Sequence, residues 1–218
     1  MSEMTARDRL RAMRPPTIEP LEFDTAAAPA HPLDLFREWL DAAGEADVSQ
    51  ANAMTLSTAS ADGVPSARTL LLKDVTDTGF WFASLSDGPK GGDMAENPRA
   101  ALTMFWREQG RQVRVSGTVR PGPRAVSEVD FTARHPIARA QAIAGRQSEP
   151  MPEAEVVEQL VASARELLEG DPDFVPPAWT AYVVDPQSVE FWQAVGRDQV
   201  RLRYQLVDGQ WRHELIWP

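Results

Sequence analysis

Cations at strand ends and beside glycines are the first residues of this chain with chemistry to offer. In Ser66-Ala67-Arg68-Thr69-Leu70-Leu71-Leu72-Lys73, side chains of a regular strand alternate, so Arg68 and Lys73 fall on opposite faces. One small site then takes both only where the strand bulges or curves. Lys90 follows Asp87-Gly88-Pro89 and precedes Gly91-Gly92, a setting in which backbone amides and an ammonium group jointly hold a phosphate. In Arg111-Gln112-Val113-Arg114-Val115-Ser116 the valines alternate with Gln112, Arg114 and Ser116, which puts a polar row on one side of a strand. The solvent face of an ordinary antiparallel sheet looks the same. Gln147 and Ser148 follow a helical stretch as loop residues, with turn formation as their plain role. Glu190-Phe191-Trp192-Gln193 and then Arg197, Arg201 and Arg203 bring aromatic surface and three cations close together, with core packing the competing role for Trp192.

Other chemistries are closed to the chain. It has no cysteine and three scattered histidines (His31, His135, His213), so no disulfide, thiolate metal site or cysteine nucleophile is available, and no metal centre is expected. Redox work would need a borrowed cofactor. Lys and Arg number 22 against 32 Asp and Glu, and the net charge of -10 opposes affinity for phosphate backbones, so nucleic acid is not an expected partner. The N-terminus, MSEMTARDRLRAMRPP, lacks the apolar run of a signal peptide, and nothing elsewhere approaches the roughly 20 apolar residues of a membrane span. The cytoplasm is the expected location.

The elements that must position these residues follow from periodicity. Residues 1–31 mix charge with Pro15, Pro16, Pro20, Pro29 and an alanine run, which reads as an extended or mobile arm ordered only by contacts. From Pro32 onward a single domain to residue 218 is expected. Leu33, Phe36, Leu40 and Ala43 recur at helical spacing, giving about three turns that end near Gly44. Strand patterns follow at Ala53 to Ser60, Ser66 to Val75, Phe80 to Ser84, Ala100 to Trp106 and Arg111 to Arg120. Asp62-Gly63 provides a hairpin turn, and a Gly-rich bend leads into a short helix closed by Asn97-Pro98. Five such strands predict a closed or partly closed barrel, mainly β with packed helices, an α+β protein. A helical interlude spans Arg124 to about Ala144 with a break at Pro136, then Pro152 to Leu168. Strands return at Thr180 to Val184, Val189 to Gln193, Val200 to Val207 and Trp211 to Trp217, the last two joined by Asp208-Gly209.

Taken together, the ordered segments resemble the pyridoxamine 5′-phosphate oxidase family of FMN-dependent enzymes. The resemblance rests on Arg68-Thr-Leu-Leu-Leu-Lys73, the Gly79-Phe-Trp-Phe strand with Lys90-Gly91, Asn97-Pro98-Arg-Ala-Ala101, Arg111-Gln112-Val113, Arg146-Gln147-Ser148 and Glu190-Phe-Trp-Gln193, and it covers about Pro32 to the C-terminus. It implies a split β-barrel homodimer with two FMN sites at the subunit interface, each built from both chains. Carried over by position, Arg68, Ser84 and Lys90 match phosphate-binding residues, whose cations would make charge-assisted bonds to a dianion. Lys73 and Gln112, with Gln147, Ser148, Trp192 and Arg201 from the partner chain, match residues that hold the ribityl chain and the flavin ring. Pro89 stands where the family usually has a second cation.

The substrate positions depart from the family. Where it grips the pyridoxal phosphate group with Tyr, Arg and Ser in one helical stretch, this chain has Asp130, Arg134 and Ala138, and a carboxylate beside a phosphate is repulsive. The family's Arg-x-His pair appears as Arg197-Asp198-Gln199, and its final Arg-Leu-x-Pro as Leu215-Ile216-Trp217-Pro218. Lys73, Asp130, Arg134, Arg197 and Gln199 are the candidate substrate contacts. Losses that fall on substrate positions and spare cofactor positions resemble the phenazine-biosynthesis oxidases of the same family. The expected activity is therefore an FMN-dependent oxidase that passes a hydride from a small heterocyclic or amine substrate, phenazine-like and from secondary metabolism, to O2. Pyridoxamine or pyridoxine 5′-phosphate oxidation is the alternative, and a non-catalytic flavin carrier the second. No side chain stands out as a general base, so no catalytic residue is named.

Overall fold

The computed structural model describes residues 4–13, 21–151, 153–195 and 198–218. Nine antiparallel strands curl into one sheet ordered β2-β1-β5-β6-β7-β4-β3, with β8 on β7 and β9 on β8. In chain order, α1 (Ala6–Ala12) and α2 (Pro32–Glu45) precede β1 (Ala53–Ala59), β2 (Pro65–Leu71), β3 (Asp74–Thr76) and β4 (Gly79–Leu85). Then come α3 (Pro89–Glu96), β5 (Arg99–Trp106) and β6 (Arg111–Pro121), the helices α4 (Arg124–Thr132), α5 (Pro136–Ala144) and α6 (Ala154–Gly170), and β7 (Trp179–Val195), β8 (Asp198–Val207) and β9 (Gln210–Leu215). This is the α+β split-barrel class.

The core lies on one face of the sheet. Met54, Leu56, Leu102, Met104, Val113, Val115 and Phe191, all fully buried, point there, and α2 covers them. That helix starts because His31 accepts from the Leu33 amide and Pro32 occupies its first turn, where the missing N–H costs nothing. Its buried stripe runs through Leu33, Phe36, Trp39 and Ala43, so Trp39 anchors the face and Leu40 only flanks it. Trp39 meets Phe191 edge to face at 5.1 Å and carries the Arg111 guanidinium 4.3 Å above its ring. The chain before α2 is tied down on the same side: the Tyr204 hydroxyl donates to Pro29 O at 2.8 Å, and Phe23 packs edge-on against Trp39. By contrast, α1 buries no residue.

Two strand predictions are corrected. The run from Ser66 to Val75 is not one strand: β2 ends at Leu71 and β3 begins at Asp74. Leu72 and Lys73 lie between them, the Leu72 amide donating to Asn52 O and the Lys73 amide to Trp81 O. Lys73 is thereby freed from strict alternation with Arg68. Conversely, the two runs Thr180 to Val184 and Val189 to Gln193 form one strand, β7, of 17 residues. One edge of β7 pairs with β6 from 182 to 193, and the other is shared by β4 (at 179–184) and β8 (at 188–195). The change of neighbour falls at Asp185-Pro186-Gln187, where the β6 register slips by one residue and Gln187 is extra. Proline has no amide for the ladder and is tolerated at such a bulge.

Candidate active site

A cleft of about 510 Å³ opens where β2 and β4 face α5 and the segment that follows it. Thr69, Leu70, Leu71 and Lys73 line it from the β2 side, Ala83, Ser84 and Leu85 from β4, and Arg134, Ala138, Gln141 and Gln147 from the helical side. Four sequence-predicted residues, Lys73, Ser84, Arg134 and Gln147, thus share one cavity. A second cavity of about 340 Å³, mostly apolar, lies under α4 between Val126, Val129, Trp81 and Phe82, and Lys73 and Ala83 border both.

Lys90, near the start of α3, is only 5% exposed, and its ammonium group donates to Gln147 Oε1. Burial, and then the neighbouring charge of Arg68, push its pKa down to about 8. Arg68 donates to Thr58 Oγ1 at 2.8 Å and Ser66 Oγ at 2.6 Å, and burial likewise lowers its pKa. Thr58, itself buried, donates onward to Asp93 at 2.7 Å, and Asp93 supports the charge of Arg68. Two partly desolvated cations therefore stand close together, and Lys90 has no ion-pair partner among the described residues.

A second cluster forms around Trp179, a residue to which the sequence reading gave no role. Lys73 Nζ lies 3.1 Å from Asp130 Oδ1, and the Trp179 indole N–H donates to Asp130 Oδ2 at 3.0 Å. Arg134 lays its guanidinium 4.4 Å above the same indole. The clue in the sequence was an aromatic residue opening a strand just after Pro176-Pro177-Ala178, but its relation to Asp130 depends on α4 folding back onto the start of β7, where Ser127 accepts from the Ala181 amide. Thr58 was missed for a similar reason, since only the pairing of β1 with β2 brings it under Arg68.

Gln112, Trp192 and Arg201 form a third group, away from both cavities. They are register partners across β6, β7 and β8, so their side chains share the sheet face opposite the core. The polar row predicted on β6 is therefore real, and Trp192 belongs to that row rather than to the core. Trp192 donates to Gln199 Oε1, and Arg201 is held by Glu190 at 2.8 Å and by Trp217 O at 2.8 Å. Ser148 is exposed, with a positive φ of 68°. Arg197 lies outside the described residues. Within one chain the predicted residues fall into separate groups: Lys73, Ser84, Lys90, Arg134 and Gln147 at or beside the cleft, with Arg68 beneath Lys90, and Gln112, Trp192, Gln199 and Arg201 on the outer sheet face. Among the described residues no cluster of His, Cys, Asp and Glu is arranged to hold a metal, and no helix is long and apolar enough to cross a membrane.

Comparison with known proteins gives this arrangement a family. The model of pyridoxamine 5′-phosphate oxidase matches residues 40–168, and that of the pyridoxine 5′-phosphate oxidase C-terminal dimerisation region matches 179–218. The chain belongs to the pyridoxamine 5′-phosphate oxidase family. Among curated members named pyridoxine/pyridoxamine 5′-phosphate oxidase, that of Caulobacter vibrioides is 35% identical over 212 residues, 97% of this chain and 93% of the relative. That of Salinibacter ruber is 42% identical over 193 residues, covering 86% and 89%. Among solved structures, PhzG from Burkholderia lata 383, in complex with tetrahydrophenazine-1-carboxylic acid, superimposes with a TM-score of 0.87 at 28% identity, over 92% of this chain and 99% of that one. An FMN-binding family protein of Nostoc punctiforme shares the fold, with a TM-score of 0.72 at 19% identity over 88% of this chain and all of that one. The family fold is homodimeric, and its dimerisation region here comprises β7, β8 and β9.

Proposed function

We propose that this chain is an FMN-dependent oxidase that takes a hydride from a small heterocyclic or amine substrate, phenazine-like and of secondary metabolism, and delivers the electrons to O2. The observation that carries the reading is an asymmetry in the cleft. Cations suited to a cofactor phosphate are in place, whereas Lys73, one of the cations on the wall that would meet a substrate phosphate, is bound to Asp130 of the adjoining cavity.

The residues present fit FMN. The pKa of the buried Lys90 ammonium group is depressed by burial and by Arg68, and a phosphate dianion there would offset both penalties. Arg68 and Lys90 would hold that phosphate, with Ser84 donating from β4. Lys73 and Gln147 of the cleft, with Ser148 next in the chain, and Gln112, Trp192 and Arg201 on the outer face of a second copy would hold the ribityl chain and ring, so Gln147 falls on the phosphate side of the site and not on the partner as the resemblance implied. FMN, when bound, supplies the two-electron acceptor, so that substrate loses a hydride and a proton and O2 becomes hydrogen peroxide. The protein's share is to bind and orient. Arg134, Arg197 and Gln199 would position the ring, and no side chain is assigned as general base, because guanidinium groups stay protonated.

A second reading, oxidation of pyridoxamine or pyridoxine 5′-phosphate, is favoured by kinship with the curated oxidases and by the presence of Lys73 and Arg134. Anaerobic titration of the FMN-loaded protein separates the two. Pyridoxamine 5′-phosphate at micromolar concentration is expected to leave the visible flavin band intact, while a reduced phenazine carboxylate bleaches it. Bleaching by pyridoxamine 5′-phosphate would establish the second reading, and a protein that takes up no FMN would overturn both.

A further inference from the structure

Trp179 organises the charges of the cleft wall. Its N–H and Lys73 engage the two oxygens of Asp130 separately, and the carboxylate side chain is 14% exposed against 37% for Lys73. The anion is thus the better-held partner, and Lys73 comes to it. Four residues further on, in the bend after α4, Arg134 rests on the face of the same indole with its Nε buried and lacking an acceptor, and among the described residues it forms no ion pair. Arg146, also at the cleft, is drawn toward Glu149 at 3.6 Å. The wall therefore offers one uncommitted guanidinium beside a neutralised lysine. Next to it lies the mostly apolar cavity of Trp81, Phe82, Val126 and Val129, which Asp130 itself borders, with Lys73 on the boundary between the two.

A planar guanidinium of this kind matches a carboxylate through two parallel N–H donors, and the neighbouring apolar space suits the ring that bears it. A phosphate dianion placed on Arg134 would meet the Asp130 carboxylate across the shared Trp179 indole, with Lys73 already committed. Resting on the flavin-oxidase reading above, we propose that Asp130 is the specificity-determining residue of this cleft: by holding Lys73 it leaves Arg134 to receive the substrate's anion, selecting a ring monocarboxylate over a phosphate ester.

Calorimetric titration with pyridoxal 5′-phosphate and with two ring monocarboxylates, 4-pyridoxate and phenazine-1-carboxylate, tests this without any need for turnover. The wild-type protein is expected to bind the better carboxylate at least about tenfold more tightly than the phosphate ester, the scale of one charge-assisted bond. Asp130→Asn keeps an acceptor for Trp179 and releases Lys73, and should tighten pyridoxal 5′-phosphate by about tenfold or more while changing the carboxylates little. Arg134→Gln should lose the carboxylates, and Arg134→Lys should recover part of the loss. Equal wild-type affinity for both classes, or an Asp130→Asn protein with an unchanged ratio, would overturn the assignment. If Asp130→Asn fails to fold, the wild-type ratio and the Arg134 pair still decide. FMN uptake is measured separately, so failure of the flavin reading is distinguishable from failure of this one.

Discussion

Lys90 is a cation held where water is scarce and a second cation is near, so its protonation reports on what it faces. In the folded chain without ligand its pKa falls from 10.5 to about 8, through burial first and Arg68 second. Between those values the unfolded chain binds one more proton than the folded one, so stability rises with pH across the window, and the penalty is fully present below about pH 8. Lys90→Met should therefore raise the melting midpoint of the flavin-free protein at pH 7, with the gain shrinking toward pH 10.5. FMN reverses the sign, because its phosphate favours the charged ammonium. Affinity should stay level from pH 7 to 8 and then weaken by at most about tenfold per pH unit, the limit for one proton. Fluorescence titration measures this, and Lys90→Met should bind weakly with a flat profile. A wild-type profile flat to pH 9 would mean that Lys90 does not meet the phosphate. Residue type and setting pointed to Lys90, because a phosphate needs a cation and donors beside glycines, whereas Ser84 and Gln147 were reached only through the family resemblance. Trp179 escaped because its partner Asp130 is 49 positions away, a distance that only the packing of α4 against the start of β7 closes.

At the scale of elements, the joint in β7 shapes the barrel. The slip opposite Ser116 and Gly117 lets one strand serve β4 with its first half and β8 with its second. Gln187, the extra residue, is secured by Arg99 at 2.8 Å. Gly117 permits this crossing, since a Cβ there would lie 2.0 Å from Asp185 O, a backbone atom that cannot rotate away. Gly117→Ala should cost roughly 1–3 kcal/mol, as overpacking does in close-packed interiors, and lower the denaturant midpoint. Gly44→Ala in α2, with open space at its Cβ, should shift the midpoint the other way by about 0.5–1 kcal/mol. A Gly117→Ala protein as stable as wild type would remove the joint from the account. Most elements were legible from periodicity and turn chemistry: Asp208-Gly209, with φ of 51° and 76°, is the tight turn that dipeptide encodes. What the sequence concealed was continuity. Asp185-Pro186 reads as a stop because proline leaves the ladder, yet the pairing with β6 resumes one residue later. The Leu-Leu-Leu-Lys run reads as unbroken strand, yet it breaks at Leu72, which turns into the core at 5% exposure. Both outcomes are set by neighbouring strands, which local patterns do not report.

The outer face of the sheet ties the site to the assembly. Gln112, Trp192 and Arg201 lie in one row there, and Phe105, the register partner of Gln112, stands beside them 57% exposed. Leu71 and Trp217 add further exposed apolar surface, Trp217 through the contact of its carbonyl with Arg201. In a homodimeric fold, apolar side chains grouped with this polar row make the face the expected seat of the second copy. Since the cleft holds one group of candidate flavin contacts and this face holds the other, closing the dimer is what would join them. Phe105→Asp places a charge at that junction without touching the core. Light scattering should then report a chain-mass monomer where the wild type shows twice that mass, and the same sample should lose FMN on gel filtration although Arg68, Ser84 and Lys90 are untouched. Loss of both together supports a flavin site assembled from two chains. A Phe105→Asp monomer that retains FMN would place the whole site within one chain, and a dimer that persists would move the interface off Phe105.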